Sequence, residues 1–572
     1  MKRVKRLWFL LAMVISVSSS LVRSQIDSRP VVTIDSGVLE GGHFGAAPDE
    51  VMFLGIPFAA PPTGERRWKP PQPVEKWPGI RRANSYGAAC PQQVPAGWME
   101  AYTKEMNQTF EPYYTYHTDE DCLYLNVWTT NMPGDRPAER LPVMVWIHGG
   151  GSMGASHFWP MGPTLVRKGV VLVSMNYRLG ALGFLAHPAL TAESPHHASG
   201  NYGILDQIAA LQWIQRNIAK FGGDPANVTI FGESSGGMMV CFLMSSPLAR
   251  GLFQRAILES LGCADTISPE LKTPTYYEGG VGTAEENGLR MTRDLGIPDG
   301  PNALKELRSK APKELMDVSD GDSAVNFDSE SDIDNWVLTE QPATTFAQGR
   351  QAKVPVIVGS NSDEGTTMVE ETLHGPPTLA NYKAFLKNEF LDYADEMFRM
   401  NPAATDADVR AAFIAFDTDY EFGNSVHVIA TDTARAGPKA WFYYFTYPGK
   451  GKYIDVGAFH GVEVKFLTGW FRPSWWGEPD AEDKKLIDLM TGYWTQFAKT
   501  GDPNGPSLPR WPVYDPKAEM VLEIGREVKL RPTPRVERFA VFERSLKSRL
   551  ASIPQSGNRS LDTTPQKLPT VY

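Results

Sequence analysis

The chain has 572 residues, of which 66 are acidic and 56 basic, so its formal net charge is −10 at pH 7. This acidic balance argues against nucleic acid or an anionic membrane surface as a partner. The length would suffice for several average domains, but no internal repeat and no linker divides the predicted strands and helices. We therefore expect a single large domain over residues 25–550.

The first 24 residues have the pattern of a secretory signal. Four basic residues precede the apolar stretch Leu7–Val17, and a candidate cleavage site ends at Ser24. The apolar stretch is 11 residues long, whereas a membrane-spanning helix needs about 20. We expect an exported protein, secreted or periplasmic, with no stable membrane insertion after signal cleavage. An uncleaved anchor is the alternative.

A glycine-rich segment follows the first long apolar strand. The strand is predicted over Leu141–Ile147, and His148 and the glycine triplet (residues 149–151) come directly after it. Three residues without side chains let backbone amides point at one spot, which is what stabilising a negatively charged oxygen requires. A glycine triplet alone would more often be only a flexible turn.

The most informative motif is VTIFGESSGG, which covers Val228–Gly237. An apolar strand runs into G-x-S-x-G at residues 232–236 (here called the elbow), and a helix-like apolar segment follows it. This context lets a sharp turn project one hydroxyl from the sheet edge, so Ser234 is the candidate nucleophile. Together with the triplet, the amide of Ser235 completes a candidate oxyanion hole.

A serine nucleophile needs a base and a group that orients the base, in the chain order serine, acid, histidine. Three histidines follow a candidate acid. His427 lies in a predicted helix, and His374 lies in a Gly-Pro loop close to the acids. His460 ends a loop after the aromatic strand AWFYYFTY, so it is the candidate base. The acid is Asp363 or Glu364, in the turn NSDEG after a buried strand.

The chain resembles the type-B carboxylesterases, the serine hydrolases that include cholinesterases, fungal lipases and bacterial p-nitrobenzyl esterases. The blocks that carry the resemblance are FLGIPFAAPPTGERRWKPPQP, EDCLYLNVW, IHGGG, NYRLGALGFL, GNYGILDQIAALQWIQRNIAKFGGDPANVTIFGESSGG, SDEGT, FHGVE and YWTQFAKTGDPN. They cover nearly the whole chain after the signal. The resemblance implies an α/β-hydrolase fold with a large, mostly parallel central sheet flanked by helices, and the alternation of short strands with amphipathic helices agrees with it.

The resemblance also assigns roles to single residues. It implies a triad of Ser234, Glu364 and His460, with Glu364 preferred over Asp363. The oxyanion donors it implies are the amides of Gly150, Gly151 and Ser235. No cofactor is implied, and no metal-ligand spacing appears in the sequence.

The four cysteines can form disulfides if the protein is exported, because an oxidising compartment permits them. The resemblance implies a disulfide between Cys90 and Cys122. Cys241 lies among Met and Phe residues in the helix after the nucleophile, where a buried free thiol is the favoured interpretation. The sequence leaves a pairing with Cys263 open.

Two positions depart from the commonest family pattern. The family usually has alanine where this chain has Ser235, and it often has an aromatic residue where this chain has Ser152. Ser152 would give more room or polarity beside the acyl group. We interpret Trp98, Trp159 and Trp470 as parts of an apolar substrate wall. The alternative for these aromatic residues, and for the neighbouring Phe471, Trp475 and Trp476, is ordinary packing.

The predicted function is hydrolysis of a small-molecule carboxylic ester, apolar or aromatic, through an acyl-enzyme. Amide or carbamate hydrolysis on the same triad is the nearest alternative. A non-catalytic binding module of the same fold is more remote, because all triad positions are intact. Residues 551–572, rich in Ser, Thr, Pro and Gln, are expected to form a disordered tail. The sequence indicates neither the natural substrate nor the oligomeric state.

Overall fold

The computed structural model describes residues 29–92, 117–133, 139–151, 154, 156, 162–277, 280–319, 331–373, 375–453, 455–471 and 476–553. The predicted signal, the tail after residue 553, and three predicted pocket residues, Trp98, Ser152 and Trp159, lie outside these ranges. Among the helices within them, none is long and apolar enough to cross a membrane.

The strands of these ranges are β1 Val31–Ile34, β2 Gly37–Glu40, β3 Gly42–His43, β4 Val51–Pro57, β5 Ile80–Arg82, β6 Tyr124–Thr129, β7 Leu141–Ile147, β8 Val171–Met175, β9 Gly223–Glu233, β10 Arg255–Glu259, β11 Thr275–Tyr277, β12 Gly280–Gly282, β13 Val356–Asn361, β14 Ala440–Phe445, β15 Met520–Ile524 and β16 Val528–Pro532. Eleven of them form one sheet in the order β16-β15-β14-β13-β10-β9-β7-β8-β6-β4-β3. The smaller sheets are β1-β2-β5 and β11-β12.

The large sheet is parallel in its centre and antiparallel at its edges. The strands from β15 to β8 in this order pair in parallel, whereas β16, β6, β4 and β3 pair antiparallel with their neighbours. Parallel strands need crossover connections, which place helices on the faces of the sheet. The predicted α/β-hydrolase class, with a mostly parallel central sheet, is confirmed.

The helices are α1 Gly162–Val166, α2 Gly180–Phe184, α3 Pro188–Glu193, α4 Tyr202–Asn217, α5 Ser235–Ser245, α6 Ala284–Asp294, α7 Ala303–Ser309, α8 Pro312–Ser319, α9 Pro342–Ala347, α10 Val369–Thr372, α11 Leu379–Phe390, α12 Ala394–Met400, α13 Asp406–Asp417, α14 Ser425–Arg435, α15 Val464–Thr468, α16 Ala481–Thr500 and α17 Val536–Ser552. A π-helical segment, Thr418–Asn424, joins α13 to α14.

Side chains of β7 show that the sheet is buried on both faces. Val143, Val145 and Ile147 belong to the hydrophobic core on one face. Met144 and Trp146 belong to the core on the other. Successive side chains of a strand point to opposite faces, so a strand covered on both sides reads as a continuous apolar run. This explains why the strand could be predicted over the same residues.

The fold brings the predicted motifs to one edge of the sheet. The triplet follows β7, the elbow spans the end of β9 and the start of α5, and Glu364 follows β13, while the loop after β14 carries His460. These strands lie side by side or one strand apart in the central sheet. Their carboxyl ends therefore meet where ligands bind in open α/β sheets.

Candidate active site

The backbone turns sharply at the elbow. β9 ends at Glu233, α5 begins at Ser235, and Ser234 between them has φ 59° and ψ −132°. A non-glycine residue rarely adopts this conformation, so the surrounding structure must hold it. The amide of Ser234 donates to the carbonyl of Glu259 at 3.0 Å. A Cβ atom at Gly236 would overlap the carbonyl oxygen of Ile147, so only glycine fits there.

The glycine triplet lies directly against the elbow. A Cβ atom at Gly149 would overlap the carbonyl of Glu233 and lie 3.0 Å from the Cβ of Ser234. Gly150 and Gly151 have φ values of 109° and 62°, which favour glycine. The close approach places the triplet beside the candidate nucleophile.

Glu364 and His460 form a direct contact. The Nδ1 atom of His460 lies 2.7 Å from Oε2 of Glu364. The other carboxylate oxygen, Oε1, accepts the backbone N–H of Asn361 at 2.7 Å. Glu364 is fully buried, so its orientation is set on both oxygens. Such a contact holds an imidazole in the tautomer whose Nε2 can accept a proton.

Asp363, the other acid that the sequence left open, has a different set of partners. Its Oδ2 atom accepts the backbone N–H of Ala458 at 3.0 Å and the hydroxyl of Ser362 at 2.6 Å. Asp363 therefore holds the loop that carries His460, while Glu364 contacts the imidazole itself.

Three further buried glutamates surround the His460 side of the site. Oε1 of Glu233 lies 3.3 Å from Nε2 of His460. Glu463 accepts the hydroxyl of Ser260 at 3.0 Å. The third, Glu259, accepts the indole N–H of Trp494 at 3.1 Å. The amide side chain of Asn361 also donates to Glu463.

Burial and mutual repulsion shift the proton equilibria of this cluster. Burial raises the pKa of Glu233. Burial and the charge of Glu233 together raise the pKa of Glu463 to about 8. For Glu259, burial also raises the pKa well above its ordinary value. Burial alone would lower the pKa of His460, but the carboxylates of Glu233 and Glu364 outweigh it and raise that pKa. The site thus stabilises a positive charge on the imidazole.

The sequence did not predict a role for Glu233, Glu259, Asn361 or Glu463. Glu233 lies inside the G-x-S-x-G match, and Glu463 lies in the block FHGVE. Their positions in these motifs were the available signals. That the Glu233 carboxylate lies beside the His460 imidazole depends on a contact between residues far apart in the chain, which no local pattern reveals.

Both cysteine pairs are disulfides. Cys90 is bonded to Cys122, as the resemblance implied. Cys241 is bonded to Cys263, so the interpretation of Cys241 as a buried free thiol was wrong. The buried helix α5 packs against β10, which brings Cys241 to the segment after that strand. The surroundings of Cys241 are buried and apolar, as predicted, but its bonding partner lies outside the helix, after β10.

The aromatic cluster after His460 is largely packed. Phe471 and Trp476 join the core on one face of the sheet, where both contact Phe466. Ordinary packing accounts for these two residues. Trp470 is also buried, and its amide donates to the hydroxyl of Thr468 at 3.0 Å. Its role in a substrate wall stays a prediction.

The other candidate histidines do not join this site. His427 lies in α14, as predicted, and its Nε2 atom is 3.1 Å from Oε2 of Glu519. His374 lies outside the described residues. Within the described part of the chain, no group of three or more His, Cys, Asp or Glu residues is arranged to hold a metal ion.

Comparisons with known proteins identify the family of the chain. The model of the carboxylesterase family matches residues 28–542. Fumonisin B1 esterase of Sphingopyxis macrogoltabida is 35% identical, over 89% of this chain and 88% of that protein. Para-nitrobenzyl esterase of Bacillus subtilis (strain 168) is 32% identical, over 85% of this chain and 93% of that protein.

A mammalian relative and a solved structure extend the likeness. The liver carboxylesterase of Sus scrofa is 32% identical, over 96% of this chain and 99% of that protein. The solved structure of a PNB esterase superposes with a TM-score of 0.73 at 30% identity, over 90% of this chain and 100% of that chain. The protein is thus an α/β-hydrolase enzyme that hydrolyses carboxylic esters. It belongs to the carboxylesterase family.

Proposed function

We propose that this esterase works through an acyl-enzyme formed on Ser234, with His460 as general base and acid and Glu364 orienting His460. The observation that carries the proposal is the 2.7 Å contact between Nδ1 of His460 and Glu364, beside a serine held in a strained turn. Strained backbone at a serine next to an oriented imidazole is typical of nucleophilic catalysis.

The reaction has two halves. Nε2 of His460 takes the proton of the Ser234 hydroxyl as its oxygen attacks the ester carbonyl, and the tetrahedral intermediate then expels the alcohol, which receives that proton. Water repeats the sequence on the acyl-enzyme and releases the acid. The imidazolium that forms twice in the cycle lies between the carboxylates of Glu364 and Glu233, at 2.7 and 3.3 Å.

The negative charge on the former carbonyl oxygen requires fixed donors. We assign this role to the backbone amides of Gly150, Gly151 and Ser235. The assignment is supported by the packing of the triplet against the elbow, since a Cβ atom at Gly149 would overlap the Glu233 carbonyl. Loss of one such donor costs roughly 10²- to 10³-fold in kcat.

We propose small apolar or aromatic esters as substrates. The names of two relatives, para-nitrobenzyl esterase and fumonisin B1 esterase, support ester substrates for those proteins. Amides and carbamates are the nearest alternative, but an alkoxide leaves more readily than the conjugate base of an amine. We also propose export, because two buried disulfides suit an oxidising compartment.

A fluorophosphonate probe tests this function. The folded enzyme should be labelled once, at Ser234, and labelling should abolish the turnover of p-nitrophenyl esters. A matched panel of esters, amides and carbamates, varied separately in acyl and alcohol length, then separates the candidate reactions. Folded protein that is neither labelled nor active would instead indicate the non-catalytic module.

A further inference from the structure

The glycine triplet is anchored at both ends by hydroxyl groups. At its start, the Tyr177 hydroxyl donates to the carbonyl of His148 at 2.8 Å, and the two rings stack with centroids 4.5 Å apart. At its end, the amide of Gly151 donates to the Ser235 hydroxyl at 3.0 Å. The proposed mechanism uses only the backbone N–H of Ser235, so the Ser235 hydroxyl has no role in the reaction steps themselves.

The two anchors lie close to each other, because a Cβ atom at Gly236, the residue after Ser235, would lie 2.9 Å from the His148 carbonyl oxygen that accepts the Tyr177 hydroxyl. Ser235 is the first residue of α5, and both it and Tyr177 are buried. Burial raises the pKa of the Tyr177 phenol, and a hydrogen-bonding interaction with the Ser235 hydroxyl opposes that rise. The Ser235 hydroxyl thus accepts the Gly151 amide at one end of the triplet, and the Tyr177 hydroxyl bonds the His148 carbonyl at the other.

Such anchoring matters because the triplet cannot hold its own shape. It has no side chains, and Gly150 and Gly151 have positive φ values, so many conformations are open to it. Donors stabilise an oxyanion in proportion to how well they are fixed before the reaction. The amide of Gly151 is fixed by the bond to Ser235, and a backbone N–H can be shared between two acceptors.

We propose that the Ser235 hydroxyl is a positioning residue of the oxyanion hole, which acts by holding the Gly151 amide and works as one unit with the Tyr177 hydroxyl. This inference rests on the proposed function. It predicts that the hydroxyl contributes to stabilising the transition state rather than to binding the ester.

The test compares Ser235→Ala, Tyr177→Phe and the double variant. Ser245→Ala is the matched control, because Ser245 is a buried hydroxyl of the same helix whose bond goes to the carbonyl of Cys241. For p-nitrophenyl butyrate, Ser235→Ala should lower kcat about 3- to 10-fold, the value of one hydrogen bond, with KM changed less than about twofold. The inhibition constant of a trifluoromethyl ketone, which forms an oxyanion on the serine, should rise by a similar factor.

Tyr177→Phe should lower kcat in the same way, and the double variant should lose less than the product of the two single effects. Ser245→Ala should retain kcat. Equal or higher kcat in Ser235→Ala would overturn the proposal, because the hydroxyl would then compete with substrate for the Gly151 amide. An equal loss in Ser245→Ala would overturn it too. Failure of the proposed function is distinguishable, since the unmodified enzyme would then be inactive and unlabelled.

Discussion

Oε1 of Glu233 lies 3.3 Å from Nε2 of His460, while Glu364 contacts the other ring nitrogen at 2.7 Å. The imidazole therefore lies between two carboxylates, one on each nitrogen. An ionised Glu233 favours the protonated imidazole and raises the pKa of His460, which must be neutral to accept the serine proton.

Glu233→Gln should accordingly move the acid limb of the kcat/KM profile to lower pH. Removing a nearby negative charge lowers the pKa of His460, so the neutral base persists to lower pH, by about one unit or more. The measurement is kcat/KM for a p-nitrophenyl ester against pH. Glu259→Gln is the matched control, because the Glu259 carboxyl bonds to Trp494. An acid limb that stays in place or moves upward would contradict this account.

Glu364→Gln and Asp363→Asn should separate catalysis from stability. The amide at position 364 would favour the wrong imidazole tautomer, so kcat should fall at least about 10³-fold while the fold is retained. At position 363 the amide still offers an oxygen to the Ala458 N–H, so the expected loss is about 1 kcal/mol of stability. Steady-state kinetics and thermal midpoints of both variants decide the matter. An active Glu364→Gln beside an inactive Asp363→Asn would reverse the roles.

Ser234→Ala should reduce ester turnover by about 10⁴- to 10⁶-fold, because triad members act as a unit. The variant should fold, since alanine removes only an oxygen. Circular dichroism checks the fold, and a p-nitrophenyl ester assay checks the rate. A rate within about tenfold of the unmodified enzyme would place the nucleophile elsewhere.

Peptide mapping without reductant should find Cys90 joined to Cys122 and Cys241 joined to Cys263. Neither pair should react with iodoacetamide in denaturant until a reductant is added. Replacing Cys241 and Cys263 together by alanine should cost about 3 kcal/mol, because the bond closes a loop of 22 residues. Urea unfolding measures this loss. Alkylation of Cys241 in unreduced, unfolded protein would contradict the pairing.

The parts of the site that could be predicted from sequence are those whose structure is determined by a short run of consecutive residues. The strand before the triplet and the turn at Ser234 have local signals, namely an apolar run and glycines where the backbone must turn. The contacts of Glu233, the bond from Gly151 to Ser235 and the Cys241 disulfide had no such signal. The first two join elements far apart in the chain and the disulfide joins a helix to the segment after the next strand, so their geometry follows from how these elements pack in the fold.

The close packing of Gly149 on the elbow has a practical consequence for anyone who wishes to broaden the range of accepted esters by mutation. Any side chain at Gly149 would collide with the Glu233 carbonyl, and any at Gly236 with the Ile147 carbonyl. Randomised libraries should leave both codons untouched. Substitutions are better placed where a new side chain does not displace the serine.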